Sequence, residues 1–312
     1  MRRSRITHWL ATRLAYSAHL VNDQSRNAGI YACYGCFAHF LALKGLNRAV
    51  EMSISCYVGD VQRKQRLNQI VSTIVERGTV DVVTLADQFA VSQATIRRDL
   101  EMLEKQRLVS RTHGGATTHA AFNDLPLGYK TAQDLTEKRR IARRALEYLD
   151  GARVIGMTGG TTVTEFARLL LDRDGLTVVT NALNIATDLV ANPGLRVFAA
   201  GGEVRSSSHE CVGPNAEAFL SGYNIDVAFL GVDGVDAVAG CTNYDPVGAR
   251  VNAMLQKRGR MNVVLADATK ISRVALAQVC AMSDVDVLIT DSRAPQAALD
   301  QIRRRGCRVV CV

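Results

Sequence analysis

The chain has 312 residues, 47% hydrophobic and 22% charged, which allows one large core or two ordinary ones and excludes wholesale disorder. Its formal charge of +8 is unevenly spread: up to Val61 seven Lys/Arg stand against three Asp/Glu, and from Gln62 to Arg111 nine stand against six. Beyond Arg111 the two signs nearly cancel, so a polyanionic partner is expected only for the N-terminal third.

Eight cysteines (Cys33, Cys36, Cys56, Cys211, Cys241, Cys280, Cys307 and Cys311) follow no framework spacing. A reducing, cytoplasmic setting is expected rather than a disulfide scaffold. The start is basic, but no apolar stretch with a small-residue cleavage site follows it. The most apolar run, residues 28–43, is interrupted by His39 and is shorter than the roughly 18–20 residues of a membrane span, so no membrane anchor is expected.

Residues 1–61 lack a sustained amphipathic period and read as an irregular extension. Cys33, Cys36 and His39 are metal-ligating residue types, but no fourth ligand lies at finger-like spacing, so neither a metal nor a cofactor is expected. Met52 offers an alternative translation start, which would place the preceding residues outside the working protein.

Residues 62–116 carry the clearest pattern. Leu67, Ile70, Val71, Ile74 and Val75 make one apolar stripe of a helix, closed by Gly78. Val80, Val82 and Val83 predict a short extended piece. Thr84, three residues before Asp87, predicts the start of a second short helix with Leu85, Ala86 and Phe89 inward. After the turn Ala90-Val91-Ser92, Ser92 is the N-cap of a third helix, with Val91 and Ile96 placed as a hydrophobic staple. Ile96, Leu100 and Leu103 face the core, leaving Gln93, Thr95, Arg97 and Arg98 at the solvent-facing N-terminal end. Residues 108–115, ending in Gly114-Gly115, read as a small wing. A short second helix, a tight turn, a capped basic third helix and a wing together specify a winged helix-turn-helix, whose third helix enters the major groove. Arg pairs with guanine, Gln with adenine and a Thr methyl with the thymine methyl, while Arg111 and nearby backbone N–H groups meet phosphate. The stretch VSQATIRRDLEMLEKQRLVSRTHGGA resembles the N-terminal signature of the DeoR family of bacterial regulators. With that resemblance, Ser92, Gln93, Ala94, Thr95, Arg97, Arg98, Arg111 and His113 are the expected DNA-binding residues on a double-stranded operator.

Residues 117–135 are polar and turn-prone and read as a linker. From 136 to 312, apolar runs at about 153–157, 176–180, 195–199, 226–231, 262–266, 285–290 and 308–312 alternate with helical periods. The fold class is therefore α/β with a mainly parallel sheet covered on both faces. Glycine and polar residues gather after these runs, where ligands bind in open α/β sheets. Gly159-Gly160-Thr161-Thr162 at a strand-to-helix junction suits an anion and matches neither nucleotide-binding glycine motif.

The segments EKRRIA, GGTT, TNALNIATDL, AGGEVR, VGPNAE, DVAFLGVDGVD, ADATK and DVLITD are similar to the DeoR-type sensor. That resemblance implies a ribose-5-phosphate-isomerase-like fold and a phosphorylated sugar or polyol as effector. It also implies a pocket of Gly160, Thr161, Thr162, Asn181, Gly202, Glu203, Arg205, Asp233, Gly234 and Lys270. Thr161, Thr162 and Lys270 are assigned to phosphate, and Asp233, Asn181 and Glu203 to hydroxyls. Two departures stand out: Thr158 occupies a position where many members carry Asp, and Pro246-Val247-Gly248 replaces an acidic stretch. The rival reading is a sugar-phosphate isomerase, because Asp233-Gly-Val-Asp236 resembles its catalytic loop. Isomerisation needs a base and an enediolate-stabilising group, and no lysine follows Asp236 until Lys257. A regulator is therefore expected, not an enzyme: a homo-oligomer whose grip on DNA the effector shifts, with repression relieved by effector the commoner sense and the sign not fixed by the sequence.

Overall fold

The computed structural model describes residues 63, 66–71, 73–74, 77–106, 108–118, 127–131 and 133–312. The chain divides into two units, 1–65 and 66–312. The extension with Cys33, Cys36, His39 and Met52 lies outside the described residues, as does Val75.

The second unit begins with a three-helix bundle and a wing. Helix α1 (helical at 66–71, 73–74 and 77) buries Leu67, Ile70, Val71 and Ile74, and ends at Gly78 with φ +77° and an N–H donated to the Ile74 carbonyl. A β-strand, β1 (Thr79–Asp81), leads directly into α2 (Val82–Phe89). Here the structure corrects the sequence reading: Val82 and Val83 are helical, not extended, and the cap is Asp81 rather than Thr84. The Asp81 carboxylate accepts from the Thr84 N–H at 2.8 Å and from its hydroxyl at 2.6 Å, satisfying a first-turn donor and overriding the β-preference of two valines.

Helix α3 (Gln93–Lys105) comes next, with Ser92 as N-cap accepting from the Thr95 N–H at 3.1 Å. Ile96, Leu100 and Leu103 are buried to 1% exposure or less, in one cluster with Val91 packed against it. Asp99, on the same buried face, pairs with Arg66 Nε of α1 at 2.7 Å, tying the first helix to the third. The wing is β2 (Val109–Arg111) and β3 (Gly115–Thr118), antiparallel, with β1 on the other side of β3. Gly115 lies opposite Asp81, where a Cβ would come within 1.8 Å of the Val80 carbonyl oxygen, so the close approach of β1 and β3 requires glycine.

Of the segment expected as a linker, 117–118 complete β3 and α4 (Leu127–Lys130) is helical, while 119–126 lie outside the described residues. Helix α5 (Leu135–Ala145) begins the α/β part. Seven parallel strands build its sheet: β4 (Val154–Met157), β5 (Thr177–Thr180), β6 (Arg196–Ala199), β9 (Ile225–Leu230), β12 (Gly259–Leu265), β14 (Val287–Thr290) and β15 (Arg308–Cys311). Their spatial order is β15-β14-β12-β9-β4-β5-β6. All seven correspond to apolar runs read from the sequence. Separate hydrophobic clusters cover the two faces, one centred on Val179, Leu230 and Val264, the other on Ile155, Phe166 and Phe229. Burial on both faces explains why the inner strands read as continuous rather than alternating apolar runs, whereas the edge strands β6 and β15 are half-buried in the middle and exposed at their ends.

Two smaller antiparallel pieces carry no signal in the sequence. The hairpin β7 (Glu203–Arg205) and β8 (Glu210–Val212) lies after β6, and β10 (Gly234–Asp236), β11 (Gly240–Asn243) and β13 (Ala277–Cys280) form a three-stranded sheet after β9. The helices α6 (Thr161–Leu169), α7 (Leu183–Leu189), α8 (Pro214–Ser221), α9 (Pro246–Arg258) and α10 (Gln296–Arg304) complete the part. Among the described residues no helix is long and apolar enough to cross a membrane, no cluster could hold a metal, and five cysteines are free thiols.

Candidate DNA-reading face and effector site

Gln93, Ala94, Arg97 and Arg98 are exposed at the start of α3, and Ser92 immediately before it is exposed as well. Thr95 is half-buried, its hydroxyl 2.9 Å from that of Ser92, so its role in the cap leaves it less free than its neighbours. Arg97 reaches back along the helix to Gln93 Oε1 at 3.4 Å, a long contact that either side chain can exchange. Arg111 and His113 are exposed on the wing, the former beside Glu104, whose Oε1 accepts the Arg111 N–H.

The second site forms where the parallel strands end. Beyond β4, buried Thr158 accepts the Gly231 N–H at 2.8 Å and thereby ties the ends of β4 and β9 together, a task a neutral hydroxyl performs without placing a charge there. Gly160, with φ +111°, is the N-cap of α6 and supplies no side-chain cap, so the first N–H groups of that helix are open to a ligand. Thr161 is half-buried and Thr162 buried on its first turn. Gly202 (φ +143°) and Glu203 are exposed at the start of the β7–β8 hairpin, and Arg205 pairs with Asp245, the N-cap of α9, at 2.8 Å. The Pro246-Val247-Gly248 stretch is thus the first turn of a helix with proline at N1, and the acid next to it holds Arg205.

Asp233 and Lys270 lie close enough to shift each other's ionisation. Burial works against the Asp233 charge, yet Lys130 and Lys270 hold its carboxyl below the ordinary range; Lys130 Nζ stands 3.2 Å from Oδ1, and the Tyr244 N–H donates to Oδ2. Lys270 is pushed down to about 8, first by burial and then by the charge of Lys130, with Asp267 and Asp233 opposing. Buried Lys138 donates to the carbonyls of Lys130 and Gln133, and burial lowers its pKa too. Lys130 sits in the segment that reads as a linker, and the sequence offers no signal of its partner 103 residues away.

Glu210 also escapes sequence reasoning. It is 8% exposed, and its Oε1 accepts from the Gly159 N–H at 3.0 Å and from Asn181 Nδ2 at 3.4 Å. A Cβ on Gly159 would sit 2.6 Å from the Glu210 carboxyl carbon, so Gly159 makes room for this side chain. Burial pushes the Glu210 carboxyl above its ordinary range, with its hydrogen bonds opposing. The folded protein therefore binds this proton more tightly than the unfolded chain does. Its stabilising contribution is complete below the ordinary glutamate value of about 4.3 and is lost as pH rises through the folded value. Glu210→Gln, which keeps an acceptor for Gly159, is expected to melt above wild type at pH 8, with the gap closing near pH 4. Thermal unfolding at both pH values checks this; a gap indifferent to pH would contradict it.

An exposed recognition helix with a wing, joined to a parallel sheet whose strand ends gather cations, glycines and buried amides, defines a helix-turn-helix protein with a sensor part. Residues 66–121 match the DeoR-like helix-turn-helix domain and residues 133–292 the DeoR C terminal sensor domain. The chain is 31% identical over 239 residues to the glycerol-3-phosphate regulon repressor of Escherichia coli (strain K12), covering 77% of this chain and 95% of that protein. It is 33% identical over 250 residues to the HTH-type transcriptional regulator GlpR of Haloferax volcanii, covering 80% and 96%. The chain belongs to the DeoR family. A D-ribose-5-phosphate isomerase complexed with phospho-erythronic acid aligns over 43% of this chain and 52% of that one, at 19% identity and a TM-score of 0.32, a likeness too slight to carry an argument.

Proposed function

We propose that this protein is a transcriptional repressor that binds operator DNA through Ser92, Gln93, Ala94, Thr95, Arg97, Arg98, Arg111 and His113, and releases it when a phosphorylated sugar or polyol enters the sensor site. The observation that carries the reading is the exposure of Gln93, Arg97 and Arg98 on the first turns of a helix whose other face is fully buried. Long polar side chains on a rigidly packed helix are what base-edge recognition needs. The name of the Escherichia coli relative supports the repressor sense and contains a phosphorylated polyol. In the sensor, Thr161, Thr162 and Lys270 take the phosphate, while Asp233, Asn181 and Glu203 take hydroxyls. A cytoplasmic homo-oligomer would place two recognition helices on a repeated operator, and the effector shifts the balance between arrangements of different DNA affinity.

The isomerase reading is weaker because the Asp236 carboxylate accepts the Val238 and Ala239 N–H groups at 2.8 and 2.9 Å, serving the turn between β10 and β11. A carboxylate occupied in this way is a poor proton shuttle.

Operator fragments selected from genomic DNA provide the test. Arg97→Ala and Arg98→Ala are expected to weaken binding by about 1–3 kcal/mol each where the arginine is bidentate to guanine. Binding by both variants equal to wild type in a mobility-shift titration would refute the reading.

A further inference from the structure

We propose that Glu210 is a specificity-determining residue of the effector site. With Asn181 it forms an acceptor corner at the ends of β4 and β5 that receives hydroxyl donors of the effector's carbon chain. The phosphate is thereby confined to the end of the site that carries Lys270. This rests on the sensor reading proposed for the same site.

The corner is built, not incidental. Strand β8 crosses the ends of β4 and β5: the Cys211 N–H donates to the Asn181 carbonyl at 2.7 Å, and the Leu183 N–H donates to the His209 carbonyl at 2.9 Å. His209 holds φ +58°, a left-handed conformation that a non-glycine residue seldom adopts, immediately before Glu210. Held there, Glu210 takes the Gly159 N–H, the donor at the head of the Gly-Gly-Thr-Thr loop that an incoming anion would otherwise use. A carboxylate in that position repels phosphate and attracts donors. Asn181, 1% exposed, commits its Nδ2 to Glu210 and to the Cys211 carbonyl and leaves Oδ1 buried with no partner. Asn252, 2% exposed, does the same beside Gly231, its Nδ2 reaching the Gly231 carbonyl and its Oδ1 unpartnered. Buried acceptors without donors are costly and rare, and a polyhydroxylated ligand supplies the missing donors. Thus the strand ends divide by chemistry. Glu210, Asn181 and Asn252 accept, whereas the open N–H groups of α6 and the ammonium of Lys270 donate.

The test compares inorganic phosphate with a panel of phosphorylated polyols and sugars that includes sn-glycerol 3-phosphate, ribose 5-phosphate and glucose 6-phosphate, by calorimetric titration of the full chain. For the panel member that binds wild type most tightly, Glu210→Gln is expected to weaken binding at least tenfold, while inorganic phosphate, relieved of the carboxylate's repulsion, binds no more weakly than to wild type. Gly159→Ala, whose methyl group collides with the Glu210 carboxyl, is expected to reproduce that loss, and the double variant to add nothing to it. Equal weakening of both kinds of ligand, or of neither, would overturn the specificity role and leave the sensor reading intact. Failure of every panel member to bind wild type would overturn the sensor reading, and the proposal with it.

Discussion

Arg66→Ala is expected to destabilise the winged bundle by about 3–5 kcal/mol, the usual consequence of removing one partner of a buried ion pair. The Asp99 carboxylate is 1% exposed and its guanidinium partner 16% exposed, so little water can replace the lost cation. A three-helix bundle of this size has a stability of the same order, so the loss leaves α3 without its scaffold. Hydrogen exchange should show the α2 and α3 amides losing protection while β9 and β12 keep theirs, and operator binding should disappear. Arg66→Lys retains the charge but not the planar fork and should fall between the two. Unchanged protection in Arg66→Ala would mean that the ion pair between Arg66 and Asp99 is not needed to hold α1 to α3.

Effector affinity is expected to fall about tenfold per pH unit above pH 8, and Lys270→Ala to shift the effector response to much higher effector concentration while sparing operator binding. In the empty site the Lys270 ammonium is already weakened, its pKa about 8, because burial and Lys130 outweigh Asp267 and Asp233, with Arg273 acting in the same sense as Lys130. A bound phosphate favours the charged form, so above pH 8 binding must take up a proton, and the dissociation constant rises in step with pH. Phosphate monoesters lose their second proton near pH 6, so the ligand contributes no slope in this window. Calorimetry in two buffers of different ionisation enthalpy should show close to one proton taken up at pH 9. A flat profile between pH 7.5 and 9.5 would remove Lys270 from the phosphate site. A charge-assisted hydrogen bond contributes about 1.5–3 kcal/mol, which sets the expected loss of affinity in Lys270→Ala at roughly 10- to 150-fold.

Where local physics decides the structure, the chain can be read directly. The stripe Ile96, Leu100, Leu103 and the Ser92 cap specify α3 without outside help, and the inner strands of the parallel sheet announce themselves as apolar runs because both of their faces are buried. Helix α2 starts earlier than its residues suggest, because Val82 and Val83 favour strands whereas one aspartate cap determines the outcome. The β7–β8 hairpin and the β10–β11–β13 sheet are invisible because Glu203-Val-Arg, Glu210-Cys-Val, Gly234-Val-Asp and Gly240-Cys-Thr-Asn mix charged, polar and glycine residues and form no apolar run. Of the candidate site, the strand-end glycines, Asn181, Asp233 and Lys270 are legible from their positions. Glu210 is not, since its burial depends on a hairpin crossing strands that lie dozens of residues earlier. A charged residue directly before the apolar Cys211-Val212 is the one available signal. Lys130 is hidden in a polar segment whose partner is remote in sequence.

The sheet order also bears on how the chain emerges during translation. The winged bundle closes through pairings about 30 to 40 residues apart, Arg66 with Asp99 and Thr79 with Thr117, whereas β4 cannot pair with its neighbour β9 until Ile155 meets Val227. At about 5–20 residues per second, roughly 5–20 s separate synthesis of the wing from synthesis of β9. On each ribosome, the residues of the winged bundle are therefore complete before most of those that build the parallel sheet behind it exist.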